Sequence, residues 1–468
     1  MKNERPNLLV IMSDEHDPGV TGCYGDPLVR TPRLDRLAAE GVTFDAAYCN
    51  SPLCVPSRLS FTAGQYVSRC GAWTNDCWLP SDEYPSLPRA LAGAGYETVL
   101  CGKQHYETTR RYGFQKDLIP EFNVHSKNGR GKRRNPEDRT VAHQSWSSRV
   151  KDFHPGESSK VIQHDEKVTD TACRYLADRG AGSEPFFLFV GHLAPHFPLI
   201  APEALHARYR GKAPPPVIPP GLLDSQPRNY QHHRFGFGAV DIAPEVVQLG
   251  RELYWALTDW YDAQVGRVLD ALAQSPHAEN TVVVYTSDHG ENKGDHGLWW
   301  KNCLYEHGAR VPLIARWPGR WKGGQRRAGA CSLVDLVQTL ADIGGAERPA
   351  QWDGDSLLPW LDDANHAWKD FALTEYYGHN ICSGITMVRR GRFKYVYHSR
   401  ASESHGPERE LYDLEADPKE LKNLAAEPAH AATVKTLHEA MRQELGEDPD
   451  GIEERCRADL AKGYGTAK

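Results

Sequence analysis

No apolar run in the chain approaches the roughly 18 residues that a membrane-spanning helix needs. The longest such runs lie near Asn7–Met12 and Phe186–Ala194, so no membrane partner is expected. The eleven cysteines are an odd number and contain no Cys-x-x-Cys pair, which sets aside zinc ribbons and a disulfide framework. There is no basic excess either. With 55 Lys and Arg against 62 Asp and Glu, the net charge of -7 argues against a protein that coats nucleic acid. The opening MKNERPNLLVIMSDE lacks an apolar stretch ending in a small-residue cleavage site, so a cytoplasmic, unprocessed chain is expected. No internal repeat is found.

What is present is enough apolar residue for a large core: 40% of 468 residues. A chain of this mass folds to about 17,600 Å² of surface from about 76,000 Å² unfolded. Asn7–Ser13, Thr98–Cys101, Phe186–Leu193, Thr281–Ser287 and Pro312–Arg316 read as buried strands. Pro32–Glu40, Ser86–Ala94, Lys167–Arg179, Val246–Leu272 and Val334–Ile343 read as helices between them. This alternation predicts an α/β fold: a large, mainly parallel sheet with helices on both faces, filling a catalytic domain over 1–370. Past residue 370 the texture changes. Phe371–Tyr376, Ile385–Arg389, Arg392–His398 and Leu411–Leu414 predict a smaller antiparallel sheet, with a polar helix over Pro428–Leu445, giving a C-terminal subdomain over 371–468. The basic Lys127–Arg134 and proline-rich Ala213–Gly221 read as loops. The first is a solvated loop or a steering element for an anionic substrate; the second, with the exposed aromatics, hints at a homo-oligomer interface.

Ligands of an open parallel sheet bind beyond the carboxyl ends of its strands. Asp14-Glu15, then Lys103 with His105, then His192 with His196, then Asp288-His289 all fall at such ends. The acids suit a hard cation (Ca²⁺, Mg²⁺ or Mn²⁺), and His289 tilts the set towards Mn²⁺; zinc would want more nitrogen or sulfur. Ser51–Gly64, SPLCVPSRLSFTAG, places Cys54 at or just before a helix start, with Arg58 one turn on along the same face. A thiol or an anion is favoured there. By itself this admits a cysteine nucleophile with His105 or His196 as base, or a buried cysteine.

The run Cys54-Val55-Pro56-Ser57-Arg58 resembles the maturation sequence of type I sulfatases, in which the cysteine becomes Cα-formylglycine. Asn7–Asp14, Gly22–Gly25, Thr31–Asp35, Gly102–His105, Ala194–Pro198, Ser287–Gly290, Lys301 with Tyr305-Glu306, and Leu411–Leu414 with Asp417-Pro418 and Asn423-Leu424 are similar to that family's motifs, in its order. The resemblance spans nearly the whole chain and implies the alkaline phosphatase superfamily fold. It also implies a site in which hydrated formylglycine at position 54 attacks the sulfur of a sulfate ester. Asp14, Glu15, Cys54, Asp288 and His289 would hold one divalent cation, Ca²⁺ or Mn²⁺. Arg58 would brace the hydrated aldehyde. Lys103, His196 and Lys301 would surround the sulfate, and His105 would act as base. Asn75 lies where some relatives place a substrate-contacting asparagine. Asp14-Glu15 and Asp288-His289 stand in place of Asp-Asp and Asp-Asn; the Asp-His pair resembles the choline sulfatase and phosphonate monoester hydrolase branch, and Glu15, one methylene longer than aspartate, ligates the metal directly or supports the ligands from behind. Trp299-Trp300 beside Lys301 offer faces for a quaternary ammonium. The expectation is a sulfatase acting on choline sulfate, an alkyl sulfate or a sulfated sugar, matured by a formylglycine-generating enzyme. The rivals are a phosphonate monoester or phosphodiester hydrolase on the same scaffold, and a non-catalytic anion-binding relative.

Overall fold

The computed structural model describes residues 5–122, 133–141 and 149–463. Its main sheet is built from β1 (Asn7–Asp14), β2 (Val42–Tyr48), β3 (Glu97–Gly102), β4 (Lys116–Asp117), β5 (Phe186–Pro195), β6 (Thr281–Ser287), β7 (Arg310–Val311), β8 (Leu313–Arg316) and β9 (Gln325–Ser332). The spatial order is β9-β2-β8-β6-β1-β5-β3-β4, with β7 paired to β2. Every pairing is parallel except those made by β7 and β8. β1 lies near the middle and is buried along its whole length.

Strand alternation sends the residues of β1 into two cores. Leu8, Val10 and Met12 join one layer, which includes α2 (Cys54–Ala63), α3 (Leu87–Gly93) and α6 (Leu333–Gly344). Leu9 and Ile11 join the other, packed under α1 (Pro32–Glu40), α4 (Lys160–Asp178) and α5 (Pro244–Gln274). A second sheet, β10 (Phe371–Tyr376), β11 (Ile385–Arg390), β12 (Phe393–His398) and β13 (Glu408–Asp413), is an antiparallel meander. It carries α7 (Ala431–Leu445) and is followed by α8 (Pro449–Lys462).

Several boundaries differ from the expectation. α4 starts at Lys160, two turns early, because the Ser159 hydroxyl accepts from the Ile162 amide at 3.2 Å and caps it there. Strands β2 and β9 and helix α8 were not anticipated, and the helix expected from Pro428 opens with a 3-10 turn. Residues 127–132 of the basic run lie outside the described residues. Half-buried Arg133 pairs with Glu453 at 2.7 Å, and Arg134 donates to the Thr140 carbonyl at 2.8 Å. Among the described residues no disulfide forms, and no helix is long and apolar enough to cross a membrane.

Candidate active site

The centre of the site is the first turn of α2. Cys54 opens the helix, and Gly64 ends it in the left-handed region at φ 63°. Leu53, at the N-cap, supplies no side-chain cap. The role is taken from across the chain: Asn75 Oδ1 accepts from the Val55 amide at 3.1 Å. Asn75 therefore touches the helix that presents Cys54, and Ser57 Oγ ties the same turn to the Asp288 carbonyl at 2.6 Å.

Asp14 and Asp288 reach Cys54 from the ends of β1 and β6, which are paired neighbours in the sheet. Ligand atoms of Asp14, Cys54, Asp288 and His289 all lie within 4.8 Å of one another, and all four residues are buried. His289 Nε2 is 3.3 Å from Cys54 Sγ and 3.8 Å from an Asp14 oxygen. Two carboxylates, an imidazole and the position-54 side chain around one point fit a single divalent cation. Glu15 falls outside that set and groups instead with Asp14 and His196. Its carboxylate lies 3.2 Å from Lys301 Nζ and 3.5 Å from His196 Nε2.

Arg58 has no exposed surface. It donates to Asp288 at 2.7 Å, to Asp14 at 3.3 Å and to the Lys103 carbonyl at 2.8 Å. It also donates to the Ser13 carbonyl of β1 at 3.3 Å and to Gln104 in the loop after β3, so it cross-braces three segments. Lys103 pairs with Asp14. Gly102, at φ 95°, permits this: a Cβ there would stand 2.3 Å from the Gly191 carbonyl of β5. His105 hydrogen-bonds the Cys54 side chain. His192, by contrast, points into the helical layer, where it meets Thr169 Oγ1 at 3.1 Å and the Tyr261 ring.

Lys301 arrives on a loop with unusual backbone. Lys293, His296, Trp300 and Asn302 all have positive φ, between 54° and 79°. Glu291 Oε1 accepts from the Trp300 amide at 2.6 Å and the Lys293 amide at 2.8 Å. The Asn292 amide and side chain both donate to the Trp300 carbonyl, at 2.8 and 2.6 Å. Asn302 closes the loop through Pro52 O and the Tyr376 hydroxyl of the second sheet. On the far rim, both oxygens of buried Asp165 in α4 accept the Leu193 and Ala194 amides, at 2.7 and 2.8 Å, just before His196. Sequence reasoning missed Glu291, Asn292, Asn302 and Asp165. Only the first two carry a signal, since they directly follow Asp288–Gly290.

The electrostatics follow from burial among like and unlike charges. Burial would raise the Cys54 thiol, but Lys103, Lys301 and His289 outweigh it and hold the group well below the usual thiol range. Burial and Cys54 also oppose ionisation of Asp14, yet Lys103, His196 and Lys301 keep it below the ordinary carboxylate range. Glu15 goes the other way: burial dominates, Glu291 and Asp14 add to it, and its affinity for a proton rises. Burial and Lys301 lower His196 to about 3, which leaves it neutral.

A family model described as Sulfatase matches residues 6–346, and one described as N-sulphoglucosamine sulphohydrolase, C-terminal, matches residues 294–447. The chain is 30% identical over 449 residues to the choline-sulfatase of Rhizobium meliloti (strain 1021), with 93% of this chain and 86% of that one covered. It is 26% identical over 520 residues to the N-acetylglucosamine-6-O-sulfatase of Bacteroides thetaiotaomicron, covering 96% and 88%. Among solved structures, the phosphonate monoester hydrolase of Agrobacterium radiobacter aligns with a TM-score of 0.77 at 22% identity, over 97% of this chain and 96% of that one. That likeness is one of fold. With the family model covering most of the chain, the protein belongs to the sulfatase family, sulfuric ester hydrolases of the alkaline phosphatase superfamily.

Proposed function

We propose that this sulfatase cleaves the S–O bond of an organic sulfate monoester, with Cys54 converted to Cα-formylglycine and one divalent cation, Ca²⁺ or Mn²⁺, beside it. The observation that carries the reading is the convergence on one helix N-terminus: buried Cys54 meets the ligand atoms of Asp14, Asp288 and His289, with Lys103 and Lys301 close by. The aldehyde, once hydrated, would supply an oxygen nucleophile. The cation would polarise the sulfuryl oxygens and favour the deprotonated nucleophile. Asp14, Asp288 and His289 would hold it together with residue 54, and Glu15 would orient Lys301 and His196.

The chain's own side chains do the rest. Lys103, His196 and Lys301 bind the sulfate, the two lysines offsetting charge that builds on it and on the leaving oxygen and the neutral imidazole of His196 contributing a hydrogen bond. His105 takes a proton from a position-54 hydroxyl. Arg58 fixes the spacing of Asp14 and Asp288. Asn75 holds the first turn of α2, and with it residue 54. The catalytic machinery belongs to a domain over 1–370, buttressed by a subdomain over 371–468. The enzyme acts in the cytoplasm after maturation by a formylglycine-generating enzyme.

Peptide mass spectrometry of the tryptic fragment Leu37–Arg58, from protein made together with that enzyme, tests the reading. Fragmentation separates Cys49 from Cys54. An aldehyde at position 54 is expected, and an unmodified thiol there would overturn the mechanism. A second reading, phosphonate monoester or phosphodiester hydrolysis, is favoured by the shared fold with the Agrobacterium radiobacter enzyme. Comparing kcat/KM for matched aryl sulfate, phosphate monoester and phosphodiester substrates separates the two. The relatives' names bring choline sulfate and a sulfated sugar forward as substrates, beside simple alkyl sulfates.

A further inference from the structure

The Glu15 carboxylate stands 3.2 Å from Lys301 Nζ and 3.5 Å from His196 Nε2, so its aim bears on two of the sulfate-binding residues. Glu15 is fully buried and holds a left-handed backbone, φ 68°, which a non-glycine residue keeps only where its surroundings impose it. Its amide donates to Asp288 at 3.2 Å. Its carbonyl is taken by Tyr254 of α5, whose hydroxyl donates to it at 2.6 Å and accepts from the Asp17 amide at 2.9 Å. One oxygen thus closes the turn over residues 15 to 17 from both ends, and Tyr254 has no exposed surface.

The segment's position is fixed by other means. The His16 amide donates to Ser287 Oγ at 3.0 Å, and the His16 ring meets the Tyr285 hydroxyl at 2.5 Å. What is left for Tyr254 is the orientation of the Glu15 peptide, from which the carboxylate is aimed. The same ring also adjoins the support of Lys301. Lys293 Nζ lies 5.6 Å from the Tyr254 centroid and donates to the Asp17 carboxylate and, at 2.6 Å, to the Glu291 carbonyl. Burial, with Asp17 nearby, holds the Tyr254 hydroxyl well above the usual tyrosine range, so it stays a donor. A phenyl ring in its place would leave a buried carbonyl and a buried amide unpaired.

Resting on the sulfatase reading above, we infer that Tyr254 is a positioning residue for the reaction: its hydroxyl fixes the Glu15 backbone and, through the Glu15 carboxylate, sets Lys301 and His196 against the sulfate. The test is a double-mutant cycle of Tyr254→Phe with Glu15→Gln in the metal-loaded, matured enzyme. It is read as kcat/KM for whichever of choline sulfate, an alkyl sulfate and an aryl sulfate the wild type cleaves best, and as the calorimetric Kd of inorganic sulfate. Tyr254→Phe alone should lower kcat/KM about tenfold or more and weaken sulfate binding. In the Glu15→Gln background it should change either quantity by less than about twofold, because residues that act as a unit are not additive. The cation concentration for half activity should stay within about twofold of wild type, since Arg58 and not Tyr254 spaces Asp14 and Asp288. 4-Aminophenylalanine at position 254 keeps a donor for the Glu15 carbonyl and should recover part of the loss.

Equal losses from Tyr254→Phe in the two backgrounds would overturn the inference, since a residue that merely stabilises the fold costs the same with or without Glu15. A Tyr254→Phe enzyme as active as wild type would overturn it as well. Should Tyr254→Phe not fold, the 4-aminophenylalanine variant goes through the same cycle, its amine being a poorer acceptor for the Asp17 amide. A loss that vanishes with Glu15→Gln then supports the inference, and an additive loss or none overturns it. If wild-type protein with an aldehyde at position 54 releases sulfate from none of the three esters, the sulfatase reading itself fails and takes this inference with it.

Discussion

The two halves of the site are held by different means. Asp14, Cys54, Arg58 and Asp288 stand on strand ends and the first turns of a helix, with ordinary backbone angles. Glu15, His105 and the residues on either side of Lys301 stand on backbone with positive φ: 68° at Glu15, 59° at His105, 63° at Trp300 and 79° at Asn302. Such conformations cost about 1–3 kcal/mol each and persist only where the surroundings over-determine them. Around Lys301 they are over-determined, by Glu291, Asn292 and the hydroxyl of Tyr376. Regular elements thus place Cys54, Asp14 and Asp288, and a strained, hydrogen-bonded loop places Lys301.

The largest expected effect separates chemistry from architecture within the regular half. Cys54→Ala should lower kcat by about a thousandfold or more while leaving the melting temperature nearly unchanged. Sulfate release and thermal denaturation check the two halves of that statement. Arg58→Ala should do the reverse in metal-free protein. It takes the guanidinium from two fully buried carboxylates, leaving Asp14 with Lys103 and Asp288 without an Arg or Lys partner, which costs about 3–5 kcal/mol in denaturant titration. A divalent cation should recover part of the loss by binding only the folded state. Equal stability of Arg58→Ala and wild type without metal would show that the brace carries no weight.

The strained loop is anchored to the second sheet by a buried triad just beyond Lys301. Lys394 of β12 sits between Glu306, at 3.1 Å, and Glu420, at 2.7 Å, and has no exposed surface. Burial pushes Glu420 up to about 7 despite the pull of Lys394. An acid raised on folding holds a proton in the native state that the unfolded chain, titrating near 4.3, has already released. Its contribution is therefore fully present below about pH 4, declines as the pH rises to about 7, and changes no further above that. Glu420→Gln cannot titrate. Measured by urea unfolding at pH 5 and pH 8, the stability of the variant relative to wild type should rise with pH by up to a few kcal/mol. A difference that does not move with pH would mean that the triad titrates normally.

How far each half could be read from the sequence follows the same division. Asp14 and Asp288-His289 were legible because each ends an unbroken apolar run, and Cys54 because Pro56 and Gly64 bracket its helix. The flank of the sheet was not. VTFDAAY of β2 carries an acid and three small or polar residues, and QRRAGACS of β9 begins with a glutamine and two arginines. Their strand character comes from tertiary pairing with β8 and with each other. Glu291 and Asn292 bond backbone groups of their own loop, and Asp165 those of another segment, so nothing in their residue type announces them. Asn75 is a different case: the sequence pointed to a position at the site, and the structure shows its carboxamide oxygen on the Val55 amide.

The finest test asks whether the loop's backbone is strained in the way its angles indicate. Asn302 is buried at φ 79°, and its side chain donates to Tyr376 at 2.8 Å. Alanine and glycine at this position both lose that hydrogen bond, so the difference between the two variants isolates the backbone. Alanine keeps a Cβ in the left-handed region, at a cost of about 1–2 kcal/mol, whereas glycine loses about 0.4–1 kcal/mol through the freedom of its unfolded chain. Asn302→Gly should therefore be the more stable of the pair by up to about 1.6 kcal/mol. At Ala63, in the regular half, the order should invert, with Ala63→Gly destabilising by about 0.5–1 kcal/mol. Denaturant titration of the three variants decides it. Opposite signs at the two positions would confirm that loop and helix are held differently, since the same pair of residues then favours glycine where tertiary bonds impose the conformation and alanine where the conformation is intrinsic.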